Sequence, residues 1–379
     1  MHLIFGILIG LIVLVVLVVL HELGHALAAR RAGVVVEEFG IGFPPRAWGK
    51  KLKNGTLFSI NWLPIGGFVK LKGETDDAKK KGDYGAATFW QKTQILFAGV
   101  VVNWLVAVII LSGLALVGLP KIIPNQFSLP ADSTTISRPV QLGQLSEGYP
   151  AEKAGLESGD KITSFAGEKI ETTTELVTIS KANRGKTVPV VYERGGKEQT
   201  AQVALRDADS AVFGSTLSQE ERIKATWSAP LVGVVTTAQF TWVTIQGLGG
   251  LIGDLFSGLF LQLSPDQGAR EQGKANLDEA SAGVAGPVGI LGTIFPAAGA
   301  AGPETVLFLA AIISLTLAVM NILPIPALDG GSWFLMALFR IIKKPLTRDI
   351  EERVKGIGFM VLMGLIILIT IGDVTKLFA

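Results

Sequence analysis

Two histidines four residues apart, with a glutamate beside the first, close an apolar run: His21-Glu22-Leu23-Gly24-His25 follows Leu3–Leu20, which holds no charged side chain. On a helix, positions i and i+4 share a face, so His21 and His25 can hold one metal ion. Glu22 can then reach water beside that ion without being a ligand itself. Zinc lowers the pKa of such water to about 7 and polarises a carbonyl, while the glutamate takes the proton. On a soluble helix the same five residues could be a solvated face. At the end of a hydrocarbon-length run, ionisable groups are costly and read as functional.

A hydrolytic zinc site wants a third protein ligand and one open position. The chain has three histidines and no cysteine, and the third histidine is His2, about 28 Å away along the same helix. A carboxylate must therefore complete the set. Asp254, Asp329 and Asp373 are the candidates at membrane depth. Asp373 ends its span on the outer side, away from the histidines, and Asp254 lies in an ambiguous segment. Asp329 sits in "NILPIPALDGG", where two prolines and two glycines break the helix and let the backbone bend around a site.

The elements that must carry these groups are those of a membrane protein. Of 379 residues 49% are hydrophobic and only 17% charged, against about a quarter in soluble proteins. Leu3–Leu20, Thr93–Pro120, Thr305–Leu328 and Gly356–Gly372 are uncharged and long enough to span about 30 Å of hydrocarbon. The first lacks the basic start and small-residue cleavage site of a signal peptide. Residues 30–92 hold twelve Lys and Arg and residues 340–355 hold six, so both loops belong in the cytoplasm and both termini outside. The net charge of +2 gives no reason to invoke nucleic acid, and without cysteine there is neither a disulfide nor a thiolate site.

Between these spans the pattern changes twice. In the first cytoplasmic loop, "TLFSINWLPIGGFVKLKGE" reads as a β-hairpin, with Phe58, Ile60 and Trp62 alternating before the turn Pro64–Gly67. Residues 133–208 are polar and Gly-rich. "VQLGQL", "DKITSF" and "TVPVVYERGGKEQTAQVAL" read as strands, and Thr173–Asn183 as a capped helix. Ala225–Gly253 is uncharged but dotted with Thr, Ser and Gln. His21 and Asp329 both lie at cytoplasmic ends, so an even number of crossings must separate residue 121 from residue 304. Ser281–Gly302, broken by Gly and Pro, makes a poor partner span. Ala225–Gly253 is therefore expected to lie along the outer surface.

HELGH, "GVVVN" (Gly99–Asn103) and "NILPIPALDG" (Asn321–Gly330) together resemble the site-2 protease family. "LPIGGFVKLKGE" and "AGPVGI" (Ala285–Ile290) narrow the resemblance to the bacterial regulator-of-sigma-factor proteases, over nearly the whole chain. It implies an intramembrane zinc endopeptidase, one Zn²⁺ per chain, acting in or near the spanning helix of single-pass membrane proteins such as anti-sigma factors or remnant signal peptides. His21, His25 and Asp329 would be ligands, Glu22 the general base, and Asn321 a group holding the substrate backbone or the developing oxyanion. "GYPAEKAGLESGDKITSFAGEKI" resembles a PDZ domain, which would bind a peptide by strand addition beside Thr173–Asn183, or serve as a steric spacer or size filter.

The fold expected is an α-helical polytopic membrane protein with four transmembrane helices, an inserted extracytoplasmic PDZ domain and a cytoplasmic membrane-associated β-hairpin. Its segments are 1–30 (first span), 31–92 (cytoplasmic loop), 93–120 (second span), 121–212 (linker and PDZ domain), 213–303 (interfacial or re-entrant), 304–330 (third span), 331–355 (cytoplasmic loop) and 356–379 (fourth span). The hairpin could offer an edge strand to an unwound substrate, with Gly66 and Gly67 permitting close backbone approach. Gly99 and Asn103, one turn apart, read as close helix packing, with a contact from Asn103 to the metal ligands as an alternative. The partners expected are single-pass membrane substrates, a PDZ-bound peptide and the lipid bilayer of the cell membrane. A metal transporter or sensor would have little use for Glu22, and the intact HExxH and LDG argue against an inactive scaffold.

Overall fold

The computed structural model describes every residue except Met1, Asp76, Ala211, Gly283, Val284 and Ala379. It divides into a unit of residues 1–114 with 233–379 and a unit of residues 115–232.

The first unit is built on long apolar helices. Helix α1 (His2–Arg31) carries the HExxH motif and is followed by β1 (Val36–Lys51) and β2 (Leu57–Leu71). Helix α2 (Phe89–Val117) then leads to the second unit. On return come α5 (Ala229–Gln262), α6 (Gln267–Ala282), the short α7 (Pro287–Gly289) and α8 (Phe295–Ala301), then α9 (Pro303–Ile322), α10 (Asp329–Ile341) and α11 (Arg348–Phe378). Among the described residues, α1, α2, α5, α9 and α11 are long and apolar enough to cross a membrane. Where they touch, side chains are small. A Cβ on Gly24 would lie 2.6 Å from the Ala98 carbonyl oxygen, and one on Gly6 would lie 2.4 Å from the Pro296 backbone. Small residues let backbones approach, which is how helices associate without a hydrophobic drive between them.

Three expectations need correction. The two halves of the predicted hairpin do not pair with each other. Glu38 lies opposite both Lys70 and Leu57, and Phe39 opposite both Val69 and Phe58, so β1 runs between the halves of β2. The far half of β1, Arg46–Lys51, pairs with Leu57–Asn61. Its sequence, VEEFGIGFPPRAWGKK, lacks the apolar–polar alternation that marks a half-buried strand, so β1 is silent in the pattern.

The second correction concerns extent: from Ala229 onward the stretch Ala225–Gly253 is the start of one 34-residue helix, α5, which runs on to Gln262. A Cβ on Gly233 would meet Ser112, and Trp104 Nε1 donates to Thr241 Oγ1 at 3.2 Å. Residue number rises along α5 as it falls along α2, so the helices run antiparallel through the apolar part of α2. The hydroxyls that made the stretch look polar are internalised: Thr237 Oγ1 donates to the Gly233 carbonyl and Thr241 Oγ1 to the Thr237 carbonyl. Helix α6 folds back on α5, with Asn276 Nδ2 donating to Ser257 Oγ at 2.9 Å, and α8 lies against Gly6 and Gly10 of α1. The chain is thus back at the N-terminal half of α1 before α9 begins.

The third correction is a boundary. The second unit contains β3 (Leu119–Pro120), β4 (Thr134–Ser137), β5 (Val140–Leu145), α3 (Pro150–Lys153), β6 (Lys161–Phe165), β7 (Glu168–Lys169), α4 (Thr173–Ala182), β8 (Thr187–Arg194), β9 (Lys197–Ala204), β10 (Ser215–Ser218) and β11 (Glu221–Lys224). Its main sheet has the order β10-β5-β6-β8-β9, so the module extends past residue 212 to take in β10. That strand, STLS, is short and largely polar and carries little signal of its own. Elsewhere the pattern reads through. The Gly195-Gly196 turn, with φ of +60° and +77°, joins β8 to β9 as the two-residue hairpin loop it resembles. Thr172 and Glu175 form a capping box at the start of α4. Val140, Ile162, Phe165, Leu176 and Val190 lie at the centre of its core.

Candidate metal centre

His21 and His25 are buried on one face of α1, as the i, i+4 spacing requires. Asp329 reaches them from the first turn of α10. It does not end the third span, because α9 stops at Ile322 and the chain breaks through Leu323–Leu328, with Ala327 at φ +82°. The break returns the chain on itself: a Cβ on Gly330 would lie 2.1 Å from the Ile322 carbonyl oxygen, and one on Gly331 2.0 Å from that of Ile325. Only glycines permit that approach. As the first residue of α10, the Asp329 carboxylate is favoured by the helix dipole. Helix α10 is held to α2 by Trp333, whose Nε1 donates to Thr93 Oγ1 at 3.0 Å.

Three ligand atoms converge. His21 Nε2 and His25 Nε2 are 3.0 Å apart, and Asp329 Oδ2 lies 3.2 Å from the first and 3.4 Å from the second. Ligand atoms about 2.0–2.1 Å from a tetrahedral zinc would be about 3.3 Å apart, so this triangle has the size of one face of such a site. His25 Nδ1 donates to the Ile95 carbonyl at 2.7 Å, which leaves the Nε2 lone pair for a metal. Asp329 Oδ2 is buried without a hydrogen-bonding partner among the described residues, as an oxygen kept for a metal would be. The donor set, two imidazoles and one carboxylate, suits zinc. Among the described residues it is the group of this kind able to hold a metal.

The other candidates fall outside this triangle. Asp373 is buried on α11, where it accepts from the backbone N–H of Gly286 and Gly289 at 3.3 and 2.8 Å. Asp254 lies on α5, outside the cluster. Glu22 lines the cavity of about 360 Å³ that also holds His21, His25 and Asp329, and its carboxylate faces the Val69 backbone N–H. Asn321, in the last turn of α9, lines the same cavity. Gly67 lies beside Glu22, where a Cβ would come 3.7 Å from Glu22 Cγ. Gly66, at φ +83°, packs instead against the Phe43 ring.

Gly99 was legible only as a packing residue, and its position says more. A Cβ there would lie 2.5 Å from His25 Nε2 and 2.6 Å from His21 Cε1, so α2 closes against the ligand atoms themselves. Glu74, Tyr84 and Lys355 add polar groups to the cavity wall; nothing in their sequence spacing links them to the HExxH motif.

Comparison with known proteins agrees with this chemistry. The chain matches peptidase family M50 over residues 9–365. It is 31% identical over 364 residues to a Clostridium perfringens protein named as a candidate zinc metalloprotease, covering 94% of this chain and 95% of that one. It is 28% identical over 445 residues to zinc metalloprotease RasP of Geobacillus kaustophilus and over 447 residues to regulator of sigma-W protease RasP of Bacillus subtilis, covering 96% of each chain in both cases. A PDZ domain of an SdrC-like protein from Listeria monocytogenes is 26% identical over 21% of this chain and 86% of that one, with a TM-score of 0.19. The chain is a membrane zinc metalloprotease of the site-2 type and belongs to peptidase family M50.

Proposed function

We propose that this protease hydrolyses peptide bonds in or near the transmembrane segment of single-pass membrane proteins, with anti-sigma factors and remnant signal peptides as the substrate classes. The observation that carries the proposal is the triangle of His21, His25 and Asp329 held among apolar helices, with Glu22 beside it in one cavity. Zinc, when bound there, polarises the scissile carbonyl and makes water acidic enough to lose a proton near neutral pH. Glu22 accepts that proton and later passes it to the leaving amine. Asn321 offers an amide to the substrate backbone or to the carbonyl oxygen as charge develops on it. Glu74, Tyr84 and Lys355 give the cavity a polar wall along which water can enter.

A spanning helix must open before its backbone can be cut. The Gly67–Leu71 half of β2 pairs with β1 on one side and lies near Glu22 on the other, a position from which it can take an unwound substrate as an added strand. Gly67 allows that close approach, and Gly66 shapes the turn before it. Trp62 and Leu63 are exposed at the tip of this sheet, as a membrane-associated element would have them. In the second unit, α4 and the edge strand β10 flank a groove of about 100 Å³ lined by Leu176, Val177 and Leu217. We assign this unit as a PDZ domain that takes a peptide beside β10 or excludes substrates with bulky outer parts.

The topology that fits has α1, α2, α9 and α11 crossing the membrane, both termini and the PDZ domain outside, and α5–α6 entering and leaving from the outer side. Helix α6 carries Arg270, Glu271, Lys274, Asp278 and Glu279, too many charges for a helix exposed to lipid. Single cysteines at Ser180 and Ser264 should react with an impermeant thiol reagent outside, and one at Lys80 should not. Reaction at position 264 from the cytoplasmic side alone would make α5 a fifth crossing. The activity itself is tested with purified protein on a membrane-embedded peptide: cleavage that a chelator abolishes and zinc restores supports the proposal, and chelator-resistant cleavage refutes it.

A further inference from the structure

Asn103 is the polar group that the mechanism leaves without a task. It is fully buried on α2, one turn beyond Gly99, and lines the cavity that holds His21, Glu22 and Asn321. Ser314 Oγ donates to its backbone carbonyl at 2.8 Å, which fixes the α2 backbone at this point against α9. The side chain has no such engagement: neither Nδ2 nor Oδ1 has a hydrogen-bonding partner among the described residues. A buried amide with nothing to bond is destabilising, and leucine would fill a similar volume without that cost. A side chain kept under those terms is kept for what enters the cavity.

The chemistry of the entrant follows from the donor set. A carboxamide presents an acceptor and a donor in one plane, the complement of a peptide unit's N–H and C=O. A membrane helix opened for cleavage exposes those groups where lipid offers them nothing. We infer that Asn103 is a substrate-binding residue that pairs with the backbone of the unwound segment, one helical turn along α2 from the metal ligands. Asn321 offers a second amide from α9, so two helices contribute amides to the same cavity. The inference deepens the intramembrane reading and rests on it.

The test compares Asn103→Leu with the wild-type protein, full length and zinc-loaded in detergent or liposomes. The substrates are two membrane peptides that differ only in whether a Gly-Pro pair breaks the spanning helix beside the cleavage point. Asn103→Leu should keep one zinc per chain and melt no lower than wild type, since an unpartnered buried amide has been removed. Its kcat/KM on the unbroken helix should fall by about tenfold or more, the scale of lost buried hydrogen bonds. The fall should be smaller on the pre-broken helix, which needs less help to stay open. Should Asn103→Leu fail to fold, Asn103→Ser, smaller and still polar, takes its place in the same comparison. Wild-type kcat/KM in the variant, or an equal loss on both peptides, overturns the inference. If the wild-type protein binds zinc but cleaves neither peptide, the intramembrane reading fails instead.

Discussion

The two units of this molecule use apolar side chains in opposite senses. In residues 115–232 the large ones turn inward: Phe165 is fully buried, at right angles to Phe213, and the sheet wraps around them. In the helical unit the large ones turn outward, with Ile109 69% exposed and Phe260 77% exposed, while glycine and alanine fill the contacts between helices. A sheet in water is held by burying surface. Helices in lipid gain nothing from that, so close backbone contact and a few hydrogen bonds hold them. Buried charge divides the same way. Asp160 is locked to Arg194 by two 2.7 Å bonds and serves stability, whereas Asp329, His21 and His25 turn their ligand atoms toward one another in a group that could hold a metal.

The contrast can be broken at its ends, the strongest effect first. Replacing Asp329 with alanine should take zinc from about one per chain to essentially none. Asp373→Ala, which removes an equally buried carboxylate that bonds backbone instead, should leave zinc in place. Metal analysis of the two purified variants decides it, and full occupancy in Asp329→Ala would discard the ligand set. Glu22→Gln should keep zinc while turnover falls by about 10²–10⁴, the usual worth of a positioned base; rapid cleavage by this variant would remove Glu22 from its role.

Milder effects belong to the β-rich unit. Phe165→Ala should destabilise that unit by about 3–5 kcal/mol through the cavity it leaves, without loss of zinc, as read by denaturant unfolding alongside metal content. A drop in zinc would mean that the two kinds of packing are not independent. The smallest effect concerns pH. Burial by itself would raise the pKa of Asp160, but the Arg194 bonds and the Glu157 backbone N–H outweigh it and hold the carboxyl below its ordinary range. Its folded pKa is depressed, so its contribution is present above the unfolded value of about 3.9 and is lost as pH falls below that value. The stability gap between wild type and Asp160→Asn should therefore be widest near neutral pH and shrink below pH 4; a gap independent of pH would contradict the pairing.

What was legible in the sequence follows from which signals are local. The histidine pair could be read because i, i+4 spacing is a property of one helix, and Asp329 because prolines and glycines announce a broken one. Strands β5, β6, β8 and β9 announced themselves by alternation and turns. The course of β1 between the halves of β2 could not be read, since Glu37, Glu38, Pro44 and Pro45 erase the alternation while pairing at long range supplies the order. Helix α5 read as a partly polar stretch because composition counts a threonine hydroxyl as polar whether or not it has already bonded the turn before it. The closeness of Gly99 to the histidines, and the empty-handed amide of Asn103, are facts of assembly between helices, of which the chain shows only that the two residues share a face.

That closeness of α2 to the histidines, with Asp329 arriving from α10, has a consequence for birth rather than for catalysis. Two of the three clustered groups lie on α1, and the third follows about 300 residues later. At roughly 5–20 residues per second, ribosomal synthesis leaves an interval of about 15–60 s in which the histidines exist without their carboxylate. A site whose groups lie about 300 residues apart in sequence cannot form until the later one has been made.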